Sequence, residues 1–284
     1  MFAKNSVPSP LAEKYERLQA ILQKLGSVAV AFSSGVDSTF LVKAAHDTLG
    51  KKAVAFTAAS DFVPQRDVEE AKAFCQKEGI EHHVVPFPIL TVPHVKENPE
   101  DRCYYCKHAL FSHMKEVAAE KGLAYVVDGS NLDDDGDYRP GHRALRELGI
   151  LSPLHEAGLY KQDIRDLSQA LGLPTWNKPS FACLASRFPY GTELTPAGLE
   201  RVNLAEEFLM DKGFRQLRVR AHGNIARIEL LPSDIPRMLD ESLREKTAAY
   251  FRTLGFAYTA LDLLGYRTGS LNETLPKEKQ PEQA

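Results

Sequence analysis

The sequence predicts an α/β fold in which a parallel sheet with covering helices is followed by a smaller α+β domain. Short apolar runs without polar alternation recur in the first half of the chain, as in strands buried on both faces. Helical stretches separate these runs, which predicts βαβ units and a parallel sheet. Beyond about residue 172 the pattern changes, and two β-rich runs follow one another directly.

The first domain is predicted to contain four strands. These are SVAVAF at 27–32, AVAFTA at 53–58, HHVVPF at 82–87 and AYVVDG at 124–129, with helices at 39–50 and 64–79. Ligands of parallel sheets bind beyond the carboxyl ends of the strands. The turns SSGVDS and DGSN follow the first and the fourth strand, so both are predicted to lie at the ligand-binding edge.

The second domain follows a long segment, LPTWNKPSFACLASRFPYGTELTP, which carries four prolines. It is rich in residue types that act in sites, and we expect it to line the cleft between the domains. A helix is predicted near 196–212, then strands at 215–221 and 225–231, a charged helix near 233–253 and a strand at 256–263. The predicted domains are 1–172, the linker 173–195, an α+β substrate-binding or oligomerisation domain over 196–275, and a disordered tail over 276–284.

The charge balance limits the classes of partner. Thirty-five basic and 38 acidic residues give a formal net charge of −3 over 284 residues. Proteins that coat nucleic acid or membrane surfaces need a basic excess, so neither partner is expected. No apolar run reaches the roughly 20 residues of a membrane span, and no signal peptide is visible. We expect a cytoplasmic protein whose four cysteines are reduced.

The turn Ser33-Ser34-Gly35-Val36-Asp37-Ser38 joins a buried strand to a helix. Backbone N–H groups and the helix dipole suit such a turn to a phosphate. Gly35 would allow close approach, the hydroxyls of Ser33 and Ser38 would donate to phosphoryl oxygens, and Asp37 would cap the helix or hold Mg²⁺. The alternative is an ordinary strand-to-helix turn with an aspartate cap.

AFSSGVDST resembles the SGGxDS loop of the PP-loop ATP pyrophosphatase superfamily, which has a Rossmann-like parallel sheet. Enzymes with this loop bind the pyrophosphate of ATP and release it while adenylating a substrate oxygen. Ser34 stands at the second position of the motif, where a glycine is commoner. A serine there requires a backbone φ that a residue with a side chain can adopt. The resemblance implies ATP and Mg²⁺ as cofactors.

Three cysteines form a candidate metal site. Cys103 and Cys106 are spaced C-x₂-C, and Cys183 lies in the linker. Two thiolates at this spacing bind one ion or cluster. Zinc would require a fourth ligand such as His108 or His142, whereas three thiolates on a [4Fe–4S] cluster would leave one iron open to carry sulfide. The alternative is that the thiols fill core space, as Cys75 in a helical pattern is expected to do.

Most of the chain is similar to the LarE family of ATP-dependent sulfur transferases. The matching stretches are AFSSGVDSTFLVK, DGSNLDDDGDYRPG, NKPSFACLASRFPYGTELT, RVRAHGNIARIEL and LDLLGYRTGSLNETL. The resemblance implies adenylation of pyridinium-3,5-biscarboxylic acid mononucleotide and conversion of its carboxylates to thiocarboxylates. That reaction belongs to the synthesis of the nickel-pincer nucleotide cofactor of lactate racemase. A homo-oligomer, a hexamer in the family, is also implied.

The sulfur source differs within this family. In some members a cysteine of the linker motif donates its sulfur to the substrate and is itself converted to dehydroalanine. The matching position here is Ala182, with Cys183 one place later, and the sacrificial members lack the C-x₂-C pair. The chain therefore resembles the three-cysteine subset, which is inferred to hold a [4Fe–4S] cluster and to use sulfide or another sulfur donor. Single use of Cys183 is the alternative.

The resemblance also assigns residues to the substrate. Ser186, Arg187, Arg218 and Arg220 would clamp the phosphate of the mononucleotide, since the guanidinium fork binds phosphate bidentately. Arg218 and Arg220 alternate along a predicted strand and so share one face. Solvent-facing charges on a strand edge are the alternative.

Several other polar residues have predicted roles. Lys107 would neutralise charge on the α-phosphate or be a solvated helix lysine. Glu206 matches an acidic position near the family's active site, with a surface salt bridge as alternative. Asp128 and Gly129 are expected to contact the nucleotide. The run Asp133, Asp134, Asp135 and Asp137 is read as a solvated loop rather than a Mg²⁺ site, and Trp176 and Tyr190 as linker packing rather than stacking platforms.

Two other functions compete with the sulfur transferase. A PP-loop tRNA thiolase also combines three cysteines with a cluster, but it needs an extended basic surface that this composition does not supply. A non-enzymatic nucleotide-binding or zinc module would have no visible colour. The small-molecule mononucleotide is the predicted partner.

Overall fold

The computed structural model describes residues 9–135 and 140–275. They divide into two compact units, one with the described residues of 1–89 and 103–180, the other with those of 90–102 and 181–280. Residues 90–102 belong to the second unit because Leu194 N donates to Lys96 O at 2.7 Å and Gly191 N to Asn98 O at 2.8 Å. No local pattern signals this non-local pairing. The predicted domain bounds stay a prediction, and the predicted tail and Asp137 lie outside the described residues.

The first unit contains a parallel sheet with strand order β3-β2-β1-β4. Val28 of β1 is in register with Ala53 of β2 and with Tyr125 of β4. The predicted α/β class with a parallel sheet is therefore confirmed, and each predicted strand is present. The strands are β1 (Val28–Ala31), β2 (Ala53–Ala59), β3 (Glu81–Pro86) and β4 (Tyr125–Val127).

Helices cover both faces of this sheet. Val28 and Val30 of β1 pack in one apolar cluster with Phe40, while Ala29 between them belongs to a second cluster with Phe111. This alternation explains why the strand carries no polar residue. The helices of the first unit are α1 (Ser9–Leu25), α2 (Val36–Leu49), α3 (Gln65–Glu78), α4 (Arg102–Glu120), α5 (Pro140–Glu147), α6 (Pro153–Glu156) and α7 (Lys161–Ala170).

The second unit is α+β, as predicted. Its sheet has the order β5-β6-β7, with β5 and β6 antiparallel and β6 and β7 parallel. The predicted helix near 233–253 is two helices, because the Asp240 side chain accepts from Leu243 N and starts a new one. The elements are α8 (Pro196–Asp211), β5 (Leu217–His222), β6 (Ile225–Leu230), α9 (Ile235–Met238), α10 (Glu241–Thr253) and β7 (Tyr258–Leu261).

None of the described helices combines the length and the apolar character of a membrane span.

Candidate active site

The SSGVDS segment forms the turn between β1 and α2 and the first turn of α2 itself. Ser33 and Ser38 close it, with their Oγ atoms 3.1 Å apart and Ser33 N donating to Ser38 Oγ at 3.2 Å. Gly35 is the N-cap of α2, and no side chain caps the helix there. The first N–H groups of a helix have no intrahelical acceptor, so this end suits an anion.

Ser34 adopts the left-handed backbone conformation in this turn, with a φ of 55°. Gly35 has an ordinary φ of −77°. The residue that needs conformational freedom is thus the serine at the position where related loops carry glycine. Ser34 is buried, and Lys178 Nζ donates to both its carbonyl oxygen and its Oγ at 3.2 Å.

The DGSN turn after β4 lies beside this loop, as expected from adjacent parallel strands. A Cβ on Gly129 would stand 3.2 Å from Ser38 N and 3.3 Å from Asp37 Cβ, so the close approach requires glycine. The carboxylate of Asp128 accepts from the hydroxyls of Ser130 and Ser152, each at 2.6 Å. Asp128 therefore fixes the shape of its own turn, and its contact with nucleotide stays a prediction.

Asp37 forms an ion pair instead of capping α2. Lys161 Nζ, at the start of α7, lies 2.5 Å from Asp37 Oδ2, and Asn131 Nδ2 donates to Oδ1 at 3.4 Å. The prediction of an Asp37 cap is wrong, because Gly35 occupies the cap position. Lys161 and Lys178 both contact the phosphate loop, and sequence reasoning missed both.

The described part of the acidic run has local partners. Asp133 Oδ2 accepts from Lys161 N at 2.6 Å, and Asp134 Oδ2 accepts from Asn131 N at 2.9 Å. Asp135 pairs with His155 at 2.9 Å. These carboxylates thus hold the turn and the start of α7 in place.

Cys103 and Cys106 lie one turn apart near the start of α4, both half-buried. Lys107 follows them, and Gly141 of α5 packs against it. A Cβ on Gly141 would stand 2.6 Å from Lys107 Cδ and 3.4 Å from Cys103 O. The absence of a side chain at residue 141 therefore makes room for the Lys107 stem.

Arg187, in the second unit, is fully enclosed by partners. Its Nε and Nη2 each donate to Glu206 at 2.8 Å, and its Nη1 donates to Ala182 O at 2.7 Å and Cys183 O at 3.2 Å. Burial lowers the pKa of Arg187, but the charge and hydrogen bonds of Glu206 outweigh it and raise that pKa. Burial likewise raises the pKa of Glu206, yet Arg187 brings it below its usual range. The pair holds the turn that displays Cys183.

Arg220 is also buried and paired. It donates from Nε and Nη2 to Glu229 at 3.1 and 3.0 Å, from Nη2 to Ser270 Oγ at 2.8 Å, and from Nη1 to Ser186 O at 2.6 Å. Arg227 adds a second guanidinium to Glu229, at 2.8 Å. Arg220 therefore joins β5, β6 and the Ser186 turn.

Arg218 has different surroundings. Its guanidinium lies 5.1 Å from the ring centres of both Phe181 and Tyr266, and Nη1 donates to Leu217 O. Burial and the positive charge of Arg187 lower the pKa of Arg218 to about 10. The place of Arg218 in the predicted phosphate clamp stays a prediction. Arg187 and Arg220 are buried ion-pair partners rather than solvent-facing strand charges.

All four cysteines lie among the described residues, and none of them forms a disulfide bond. Cys75 is buried in the first core, and burial raises the pKa of its thiol to about 12. Cys183 is exposed at the N-cap of a 3₁₀ turn, Leu184–Arg187. Within 9–135 and 140–275, no group of three or more His, Cys, Asp or Glu residues is arranged to hold a metal ion.

Trp176 and Tyr190 lie in the linker, and each has a hydrogen-bond partner outside it. Trp176 O accepts from Arg165 Nη1 at 2.7 Å, and Tyr190 Oη donates to Asn272 Oδ1 at 3.0 Å. Their assignment to packing stays a prediction.

Comparison with known proteins identifies the family. No protein-family model matches the chain. An uncharacterised protein of Synechocystis is 43% identical over 267 residues, 94% of this chain and 100% of that protein. The pyridinium-3,5-bisthiocarboxylic acid mononucleotide synthase of Lactiplantibacillus plantarum is 40% identical over 268 residues, 94% of this chain and 96% of that enzyme. A glutamine-hydrolysing GMP synthase component of Pyrococcus abyssi is 27% identical over 56% of each chain. The 40% identity to the mononucleotide synthase over 94% of this chain, together with the parallel sheet, shows that the chain is an enzyme of the LarE family within the PP-loop ATP pyrophosphatases.

Proposed function

We propose that this enzyme converts the carboxylates of pyridinium-3,5-biscarboxylic acid mononucleotide to thiocarboxylates, using ATP. A carboxylate oxygen attacks the α-phosphorus of ATP, and pyrophosphate leaves. Sulfide sulfur then attacks the acyl carbon, and AMP leaves with the former carboxylate oxygen. The observation that carries the proposal is the SSGVDS turn, closed by Ser33 and Ser38, in a chain 40% identical to a synthase of the bisthiocarboxylate product.

The phosphate loop fits the pyrophosphate of ATP. Helix α2 starts without a side-chain cap, and the neighbouring turn lies so close that a Cβ on Gly129 would stand 3.2 Å from Ser38 N. Mg²⁺, which the superfamily implies, would neutralise phosphate charge when bound, and Asp37 is the carboxylate in the loop able to hold it. We assign Lys107 to the α-phosphate, because it follows the cysteine pair on α4 and its stem packs against Gly141.

We assign the substrate phosphate to Arg218, which lies beside the rings of Phe181 and Tyr266, and to the hydroxyl of Ser186. Arg187, Arg220 and Glu206 hold this region in place through buried pairs. Charge-assisted hydrogen bonds to phosphate are about twice as strong as neutral ones, which favours an arginine for this ligand.

For the sulfur source we propose a [4Fe–4S] cluster on Cys103, Cys106 and Cys183. The spacing of Cys103 and Cys106, one turn apart on α4, supports it. Among the described residues no three metal-ligand side chains are grouped, so the cluster is proposed on the C-x₂-C spacing and the family resemblance alone. Single use of Cys183 is the competing source.

We also propose a homo-oligomer, as the family resemblance implies. The exposed Leu263 and Leu264, 88% and 69% accessible after β7, support an apolar contact between copies. Light scattering in solution measures the assembly.

Pyrophosphate release tests the proposed function. We expect release from ATP and Mg²⁺ only when the biscarboxylate mononucleotide is present. Bulk tRNA in its place should give no release, and release with tRNA alone would make the chain a tRNA thiolase.

A further inference from the structure

Lys178 connects the phosphate loop to helix α3. Its Nζ donates to Ser34 O and Ser34 Oγ, both at 3.2 Å, and pairs with Glu70 at 2.5 Å and Asp67 at 3.4 Å. Its side chain is 18% exposed. The sequence motifs attach no role to this lysine.

The backbone around Lys178 is fixed as well. Arg165 of α7 donates from Nη2 to Lys178 O at 3.1 Å and from Nη1 to Trp176 O at 2.7 Å. Lys178 N donates to Thr175 O at 2.9 Å. Both ends of the side chain are therefore held, unlike those of a mobile surface lysine.

Ser34 needs such support. A non-glycine residue is less stable in the left-handed region than in the right-handed one, because its Cβ crowds the following carbonyl oxygen. Strained residues of this kind persist where their surroundings fix them. Two hydrogen bonds from one ammonium, to the carbonyl and to the hydroxyl of the same residue, supply that constraint.

We propose that Lys178 is a positioning residue that holds Ser34 in its left-handed conformation, so that the N–H groups of the loop stay directed at the pyrophosphate of ATP. This inference rests on the proposed ATP-dependent function. It adds to that function a residue that acts through Ser34 and does not itself touch the substrate.

The charges around Lys178 favour positioning over direct phosphate binding. One ammonium faces two carboxylates, so the group formed with Asp67 and Glu70 has more acidic than basic side chains. Burial raises the pKa of Asp67, and Lys178 partly offsets that rise. The ammonium is thus committed to these acids and to Ser34.

The test uses Lys178→Met, which keeps the apolar stem, and titrates ATP with Mg²⁺ by calorimetry. We expect about tenfold weaker ATP binding, the equivalent of the strain that Lys178 offsets. Adding Ser34→Gly should restore affinity to within a few fold of the wild type, because glycine adopts a positive φ freely. The matched control is Lys72→Met on α3, whose partner is the exposed Glu69 at 2.9 Å, and its ATP affinity should be unchanged.

Each result is decisive. Unchanged ATP affinity in folded Lys178→Met overturns the inference, and so does a loss that Ser34→Gly fails to repair, since that would indicate direct phosphate contact. If Lys178→Met does not fold, the double variant is compared with Ser34→Gly alone, and equal affinities support the inference while a tenfold gap contradicts it. Wild-type protein that does not bind ATP would instead defeat the proposed function.

Discussion

Lys161 at the start of α7 forms an ion pair with Asp37 in the first turn of α2, Nζ to Oδ2 at 2.5 Å, directly behind the phosphate loop. The pair fixes the one carboxylate of SSGVDS. Asp37→Asn and Ser38→Ala should each lower pyrophosphate release by roughly a hundredfold, the usual cost of losing one preorganised electrostatic group. Asp47→Asn, on the same helix and paired with Lys43, is the control that should keep wild-type release. Normal release from folded Asp37→Asn would remove the loop from the mechanism.

Gly141→Ala should impair the enzyme without unfolding it. The new Cβ would stand 2.6 Å from Lys107 Cδ, and a flexible lysine stem can move away at small energetic cost. We therefore expect slower pyrophosphate release with a melting temperature close to the wild type. A melting temperature well below that of the wild type would show that the contact between Gly141 and Lys107 stabilises the fold. Full activity would show that Lys107 has no role in adenylation.

Arg218→Ala and Arg220→Ala should differ in kind. Arg218 lies between aromatic rings, so its loss should weaken mononucleotide binding tenfold or more, as one charge-assisted contact of about 1.5–3 kcal/mol predicts. Arg220→Ala removes the buried ion pair between Arg220 and Glu229. It should chiefly lower the urea concentration at which half of the protein is unfolded. Calorimetry and urea titration of both variants separate these effects. Equal loss of ATP affinity in Arg218→Ala would assign that arginine to the other ligand.

The buried Arg187–Glu206 pair predicts a pH dependence of stability. The pKa of Glu206 is lowered in the folded state, so its stabilisation is complete above the ordinary glutamate pKa and is lost as the pH falls through the lowered value. Glu206→Gln leaves Arg187 buried without its anion, at a cost of about 3–5 kcal/mol at neutral pH. The difference in unfolding free energy between the two proteins should narrow on acidification. A difference that stays constant from pH 7 to strongly acid solution would contradict the assigned ionisation.

The strands were predictable because buried parallel strands carry an unmistakable apolar run, as in Val28 to Ala31. Helices α1 and α4 were not assigned, since the first begins among prolines and charges and the second mixes cysteines, tyrosines and histidines. Residues 90–102 belong to the second unit because they form backbone hydrogen bonds with residues far along the chain. Local patterns do not contain that information.

The site divides in the same way. The phosphate loop, the DGSN turn and the arginines can be located by motif. Motifs do not reveal that Arg187 and Arg220 form buried ion pairs with glutamates. Lys161 and Lys178 were missed because single lysines next to ordinary helices have no distinctive spacing. A signal did exist at Ser34, where a serine in place of glycine requires an external support.

The cysteines supply a separate prediction about sulfur. Protein prepared without oxygen should contain about four irons per chain, as for one [4Fe–4S] cluster. Cys103→Ala, Cys106→Ala and Cys183→Ala should each lose iron and thiocarboxylate formation while keeping pyrophosphate release. Cys75→Ala is the control, because its thiol is buried in the core. Iron-free protein in which Cys183 becomes dehydroalanine after turnover would establish the single-use mechanism instead.

Mass spectrometry of the product tests the central claim most directly. The protein is incubated without oxygen with pyridinium-3,5-biscarboxylic acid mononucleotide, ATP, Mg²⁺ and sulfide. We expect the mononucleotide to gain the mass difference of one sulfur replacing one oxygen, together with one AMP and one pyrophosphate for each replacement. Pyrophosphate and AMP formed with the mononucleotide unchanged in mass would contradict sulfur transfer to this substrate.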